Sequence, residues 1–316
     1  MIFEFFKKNI LTSCGKIIGI KNLINLTNMQ IINVFYHVVS DNYLPYIVPL
    51  YKYRNSKEFE NDIDFLLKYF QPVSANDVLL HAKGEKLITK PSFYLSFDDG
   101  MREVYDVVLP VLKRKGIPAT IFVNSAFVDN KDLFYRYKAA LIADKNPSLK
   151  KEVLKIKYPE REKLDSIAQN LGIDFEHFLK ETKPYLTTEE IKILQENGFT
   201  IGAHSIDHPN FYLISEEEQI RQTVESCCFV KENFGEENLF FAFPFEDTGV
   251  RNSFFETIYK NVDLTFSTSG TNVTQNGKNI GRVVLEDKMK NAKDIMHRAL
   301  MTRFIKNVIH KLIIRQ

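Results

Sequence analysis

The chain is poor in the features that mark the simplest functional classes. It has only three cysteines in 316 residues, Cys14, Cys227 and Cys228. An odd count with two adjacent members gives neither a disulfide framework nor a Cys-based zinc site, and it fits a reducing compartment. Tryptophan is absent, which excludes nothing. Excess charge is nearly absent too: 42 Lys and Arg against 40 Asp and Glu leave +2. Such a balance carries no general attraction to nucleic acid. No apolar run is long enough to span a membrane. The apolar start is interrupted by Glu4 and by Lys7 and Lys8 before a signal-peptide core can form. Repeats and low-complexity tracts are missing. What remains is a cytoplasmic globular protein, with a peripheral place at the membrane left open by its basic ends.

What is present is apolar and aromatic: 44% of residues are hydrophobic and 13% are Phe or Tyr. A chain of this length buries a large core, as one big domain or two smaller ones. Strands are expected over 31–39, 93–97, 117–124, 199–203, 239–245, 264–267 and 282–285. Helices are expected over 56–70 with Ser56 as cap, 104–115 stopped by Gly116, 187–197, 215–234 and 254–261. Residues 71–90 read as a connection and 269–278 as a polar loop. Residues 129–183, rich in Lys and Glu, read as a helical insertion over one end of the sheet. The alternation predicts one α/β domain over 31–290 with parallel strands. Residues 1–30 form an apolar, basic flank, and 291–316 a basic amphipathic helix.

Chemistry concentrates at strand ends. Asp98 and Asp99 stand where an apolar strand meets Gly100, at the rim where α/β folds bind ligands. Alone, they also read as a solvated turn. His204 and His208 follow another strand and precede Pro209. Their spacing is not the helical metalloprotease pattern, because Ser205 stands where that pattern has Glu. Taken together, one carboxylate and two imidazoles make a three-ligand metal set with open positions. One aspartate is left over as a candidate base.

At these residues the chain resembles the polysaccharide deacetylase family (NodB-like, carbohydrate esterase family 4). Ser96-Phe97-Asp98-Asp99-Gly100 is similar to its T-F-D-D-G motif, and His204-Ser205-Ile206-Asp207-His208 to its H-[ST]-x-x-H motif. The resemblance covers about residues 31–290. It implies a distorted (β/α) barrel of the NodB-like type with the site at its top. It also implies Asp98 as general base, and Asp99, His204 and His208 as ligands of one divalent cation, most simply Zn2+. Ser205 would brace the second motif. The family's third motif corresponds to Ala242-Phe243-Pro244-Phe245-Glu246, which supplies substrate contacts and a backbone N–H for the oxyanion. Here Phe245 replaces Tyr, and Glu246 stands in a Gly position, a sharper departure.

The late histidine that many members use as acid is missing, since that stretch reads Val283-Val284-Leu285-Glu286. Some branches, including deacetylases of poly-N-acetylglucosamine, instead have an N-terminal Tyr-His strand. Here that is Tyr36-His37-Val38-Val39. His37 is therefore the expected acid, with Glu286 second, and Arg282 a partner for Asp98 or a structural ion pair. The function implied is metal-dependent N-deacetylation of an N-acetylated amino sugar in a polysaccharide or glycolipid precursor. The other readings are a silent carbohydrate-binding protein on the same fold and a deacylase of another amide, such as a lipid-linked formamido sugar. The last helix sets Ile295, Leu300, Phe304, Val308, Leu312 and Ile313 among basic residues, a pattern that suits a membrane interface or packing on the barrel.

Overall fold

Apolar runs alternate with amphipathic ones, and the structure turns that alternation into parallel strands joined by helices. The computed structural model describes the backbone of residues 2–286 and 291–314, and side chains over 9–286 and 291–310. Two helices lead in, α1 (Ile2–Ile18) and α2 (Ile20–Thr27). They are followed by β1 (Ile31–Tyr36), α3 (Ser56–Tyr69), β2 (Gln71–Val73), α4 (Ala75–Ala82) and β3 (Ser92–Phe97). A π-helical turn (Val104–Val108) opens α5 (Leu109–Lys115), and β4 (Thr120–Val123) follows. The insertion holds α6 (Tyr135–Lys145), α7 (Lys150–Val153), α8 (Lys163–Asn170) and α9 (Phe175–Thr182). The alternation then resumes with α10 (Thr188–Glu196), β5 (Thr200–Ala203), α11 (Glu216–Phe234), β6 (Phe240–Ala242), α12 (Asn252–Ile258) and β7 (Leu264–Ser267). The chain ends with β8 (Val273–Thr274), β9 (Asn279–Gly281), β10 (Val283–Val284) and α13 (Ala292–Ile314).

Strands β1, β3, β4, β5, β6 and β7 pair in that order, all parallel. β9 pairs with β7 and β10 pairs with β1, both parallel. Only Arg282 separates β9 from β10. One segment therefore meets the last strand with its first half and the first strand with its second. The ring is carried round by chain continuity at Arg282 and not by a ladder there, which is the distortion in this (β/α) barrel. Every residue of β3 is buried, as expected of a strand covered on both faces.

Three local expectations change. The helix expected over 56–70 is capped one residue earlier, by Asn55, whose side chain accepts from the Glu58 N–H in a capping box. The connection over 71–90 contains β2 and α4, the latter capped by Ser74 with Asp77. α4 has only eight residues, too few for its buried Ala75, Val78 and Leu79 to show a period. The polar loop over 269–278 contains β8, which pairs antiparallel with β9. Just past the loop, at the start of β9, buried Asn279 accepts from the Thr265 hydroxyl at 3.0 Å.

The insertion is not a peripheral flap. It forms a second hydrophobic cluster in which Phe134, Tyr137, Ile142 and Leu164 pack with Val38 and Met101 from the ends of β1 and β3. At the other flank, α13 packs along α1 and α2. A Cβ on Gly15 would lie 2.7 Å from the His297 carbonyl oxygen, so glycine permits this close approach. Ile295, Met296 and Leu300 of α13 are fully buried, and Phe304 is partly buried against the same core. The first half of the apolar stripe is therefore spent on packing. Val308 is exposed, while the Leu312 and Ile313 side chains lie outside the described residues. Among the described residues no helix is long and apolar enough to cross a membrane.

Candidate metal centre

Adjacent strand residues point to opposite sides, and the two aspartates use this. Asp98 continues β3, its N–H donating to the Tyr36 carbonyl at 3.0 Å. Asp99 and Gly100 both take left-handed backbone, with φ of 71° and 62°. Two such residues in succession turn the chain sharply and swing Asp99 toward β5. A non-glycine residue in this region costs energy and concentrates at functional sites. Ser205 (φ 70°) and His208 (φ 62°) in the second motif share the feature.

Asp99, His204 and His208 converge, with one ligand atom from each lying within 4.8 Å of the others, and all three are buried. The Asp99 Oδ1 is 3.4 Å from His204 Nε2 and 3.2 Å from His208 Nε2. His204 Nδ1 lies 2.8 Å from the Ala242 carbonyl oxygen. A carbonyl can only accept, so Nδ1 carries a proton and Nε2 is the nitrogen turned toward Asp99. Burial lowers the His208 pKa more than Asp99 raises it, so that ring is neutral. Asp99 Oδ1 has no hydrogen-bond donor, and neither does His208 Nδ1 have a partner. Acceptors gathered in a buried space without protons between them fit a cation.

Other elements hold these groups in place. The Tyr137 hydroxyl, from α6, donates to Asp99 Oδ2 at 2.8 Å, leaving Oδ1 to face the histidines. The Ser205 Oγ accepts the His208 N–H at 3.0 Å, so this serine does brace the loop. Asn124, at the end of β4, donates to the His204 carbonyl. Gln222 of α11 accepts the Ile206 N–H at 2.9 Å. The His208 ring sits between Phe134 and Phe245, with ring centroids 4.3 and 4.7 Å away.

Asp98 is gripped from the barrel side. Arg282 meets it with two hydrogen bonds, Nη1 to Oδ1 at 2.6 Å and Nη2 to Oδ2 at 2.8 Å. The guanidinium is fully buried, with its centre 4.3 Å from the Phe35 ring, and Nη1 also donates to Ser96 Oγ at 3.0 Å. Burial would raise the Asp98 pKa, but Arg282 reverses this and holds the carboxyl below its ordinary value.

Across the rim, His37 Nδ1 is 2.7 Å from Glu286 Oε2. Glu286 Oε1 accepts the His37 and Val38 N–H groups at 2.8 and 2.9 Å. The sequence offered His37 and Glu286 as rival acids; the structure joins them as one pair. Burial lowers the His37 pKa, yet the Glu286 carboxylate more than compensates and raises it to about 9.

The third motif divides. Phe243 is fully buried among Phe211, Phe241 and Phe254, and its N–H donates to the Phe266 carbonyl at 2.9 Å. It is therefore a core residue and not a substrate contact. Pro244 is buried and has no N–H to offer. Phe245 takes the left-handed conformation at φ 59°, and Glu246 does not, so the missing glycine is not needed at 246. Sequence reasoning missed Tyr137, Asn124, Gln222 and Phe134. Only Asn124 carries a readable signal, as a polar residue where an apolar strand ends.

A family model described as polysaccharide deacetylase matches residues 87–267. The chain belongs to the polysaccharide deacetylase family. It is thus one of a family of amide and ester hydrolases that remove acetyl groups. No curated protein is significantly similar in sequence. Among solved structures, the chain is similar to the Streptococcus pyogenes deacetylase PplD in complex with acetate, at 15% identity and TM-score 0.61, covering 85% of this chain and 97% of that one. IcaB from Ammonifex degensii gives 17% identity and TM-score 0.58, over 85% of this chain and 97% of the other. A de-N-acetylase from Aggregatibacter actinomycetemcomitans gives 14% and 0.56, over 85% and 99%. At these identities the likeness is one of fold, and it extends beyond the matched region to most of this deacetylase.

Proposed function

We propose that the chain is a metal-dependent N-deacetylase that hydrolyses the acetamido group of an N-acetylated amino sugar in a polysaccharide or glycolipid precursor. One observation carries the reading: Asp99 Oδ1 has no hydrogen-bond donor yet faces two imidazole nitrogens, while Asp98 next to it is kept ionised by Arg282. Asp99, His204 and His208 would hold a divalent cation, and one carboxylate with two imidazoles suits Zn2+. Such an ion, when bound, supplies Lewis acidity toward the acyl carbonyl and acidifies water.

The chain's own residues do the rest. Asp98, ionised and fixed in orientation by Arg282, takes the proton of the attacking water. The Phe245 N–H, which has no acceptor among the described residues, is the donor we assign to the developing oxyanion. His37, protonated at neutral pH through Glu286, gives a proton to the leaving amine. This role for His37 aligns the chain with branches of the family that carry an N-terminal Tyr-His strand. The free cysteines suit a reducing compartment, and we place the reaction in the cytoplasm.

The test is acetate release from N-acetylhexosamine oligomers, measured before chelation, after it, and after adding back single divalent ions. The expected result is acetate release that stops on chelation and returns with metal. A metal-loaded protein that releases no acetate from any N-acetylated sugar overturns the reading.

A further inference from the structure

The segment between β1 and α3 brings one hydroxyl to the metal centre that the mechanism above does not use. Residues 40–54 follow His37 and return beside it, where the Ser40 N–H donates to the Arg54 carbonyl at 2.9 Å. Leu44 and Ile47 pin the span by their burial in the insertion's hydrophobic cluster. The Tyr51 N–H donates to the Ile47 carbonyl at 3.2 Å, so Tyr51 is carried on a fixed loop. Its ring lies beside the His37 ring, with centroids 5.4 Å apart. Its hydroxyl is buried and makes no hydrogen bond. Such a group costs stability and asks for a reason. Burial raises the Tyr51 pKa well above its ordinary value, and the Glu286 and Asp99 carboxylates add to the rise. The phenol is therefore neutral, and it stands between the acid pair and a metal ligand.

A phenol has one hydrogen to give and an oxygen that accepts. The neighbouring Tyr137 hydroxyl gives its hydrogen to Asp99 Oδ2 and has none left for Tyr51. Among the described residues nothing donates to the Tyr51 oxygen, so its lone pairs are free. The hydroxyl is shut off from solvent as Asp99 Oδ1 is, and so belongs to the wall of the metal centre and not to the outer surface. In the proposed reaction the acyl group is held at Asp99, His204 and His208, while the scissile nitrogen faces His37. Tyr51 neighbours both ends of that line, and its oxygen flanks the nitrogen. In a secondary amide that nitrogen carries a hydrogen; the matching oxygen of an ester carries none.

We propose that the Tyr51 hydroxyl oxygen accepts the N–H of the scissile acetamide, and that this contact makes the enzyme favour an N-acetyl group over an O-acetyl group on the same kind of sugar. The proposal rests on the function proposed above. Holding the N–H on Tyr51 turns the nitrogen lone pair, which develops as the acyl carbon becomes tetrahedral, toward the His37 proton. An ester has no hydrogen to give and loses the contact.

The experiment compares the full-length, metal-loaded protein with Tyr51→Phe, which removes only the hydroxyl. Acetate release is measured from an N-acetylglucosamine oligomer and from an O-acetylated sugar oligomer. The ratio of kcat/KM for the amide to that for the ester should fall about tenfold in the variant, with the ester value unchanged. An equal loss on both substrates, or no loss on the amide, overturns the proposal. The falling limb of activity near pH 9 should stay in place; a limb that moves shows Tyr51 acting through His37 and overturns it as well. The urea midpoint should hold or rise, because a buried group without a partner is removed. A lower midpoint shows that the hydroxyl has a partner within the fold, and overturns the premise. Calorimetry in the Asp98→Asn background then reads the contact without turnover. Adding Tyr51→Phe should weaken the N-acetylated oligomer about tenfold and leave the O-acetylated one unchanged. That pattern, with no acetate released from any substrate by the intact protein, removes the deacetylase reading and keeps the contact. Acetate release from the amide without that pattern removes the contact and keeps the reading.

Discussion

Asp98 and Asp99 are neighbours with the same side chain and opposite surroundings. Asp98 is held from the barrel side, where a buried guanidinium satisfies both its oxygens. Asp99 looks out toward the insertion, where a tyrosine satisfies one oxygen and the other faces two imidazoles with no proton between. The first carboxylate is electrostatically complete as folded. The second is complete only when a cation joins it. The same functional group thus becomes a fixed base or a ligand according to what the barrel and the insertion bring to it.

The comparison breaks most visibly on stability. Arg282→Met leaves the Asp98 charge buried without a partner, and we expect a loss of about 3–5 kcal/mol in urea unfolding. Asp99→Asn in the metal-free protein still accepts from Tyr137, and should change stability by no more than about 1 kcal/mol. Similar losses for the two variants would mean that the aspartates are not differently placed.

A smaller effect sharpens the Asp99 side. Tyr137→Phe removes the donor that fixes its carboxylate, and metal affinity should fall about 10–100-fold by competition with a chromogenic chelator. Unchanged affinity would leave the insertion without a part in the site.

The acid across the rim sharpens the Asp98 side. His37 must be protonated to give a proton, so activity should hold below its pKa and fall as pH rises through about 9. Glu286→Gln removes the carboxylate that raises this pKa, and the falling limb should move down toward ~6.5 or below. A limb that stays near 9 would assign it to another group. Smaller still is Ser205→Ala, which removes the acceptor for the His208 N–H and should cost about 1 kcal/mol.

Much of this was legible in the sequence because it is local. The apolar strand running into Asp98-Asp99-Gly100 and the glycine-led strand running into His204 declare both motifs and their place on the rim. Parallel strands follow from their separation by helices. What stayed hidden depends on contacts distant in sequence. Tyr137 is one tyrosine among 14, in a segment with no periodic link to the site. Phe243 shares its motif with Phe245, and only the β6–β7 ladder shows that its N–H is already used. Glu286 reads as a rival to His37 until the pairing of β10 with β1 sets them side by side. The loop after β7 hides β8, whose partner is supplied by pairing and not by apolar alternation.

The most direct test of the account is metal stoichiometry by mass spectrometry, compared between the intact protein, Asp98→Asn and Asp99→Asn. The account predicts one divalent ion per chain in the first two and little or none in the third, with acetate release absent from both variants. An Asp99→Asn protein that keeps a full equivalent of metal, or an Asp98→Asn protein that loses it, would contradict the assignment of ligand and base.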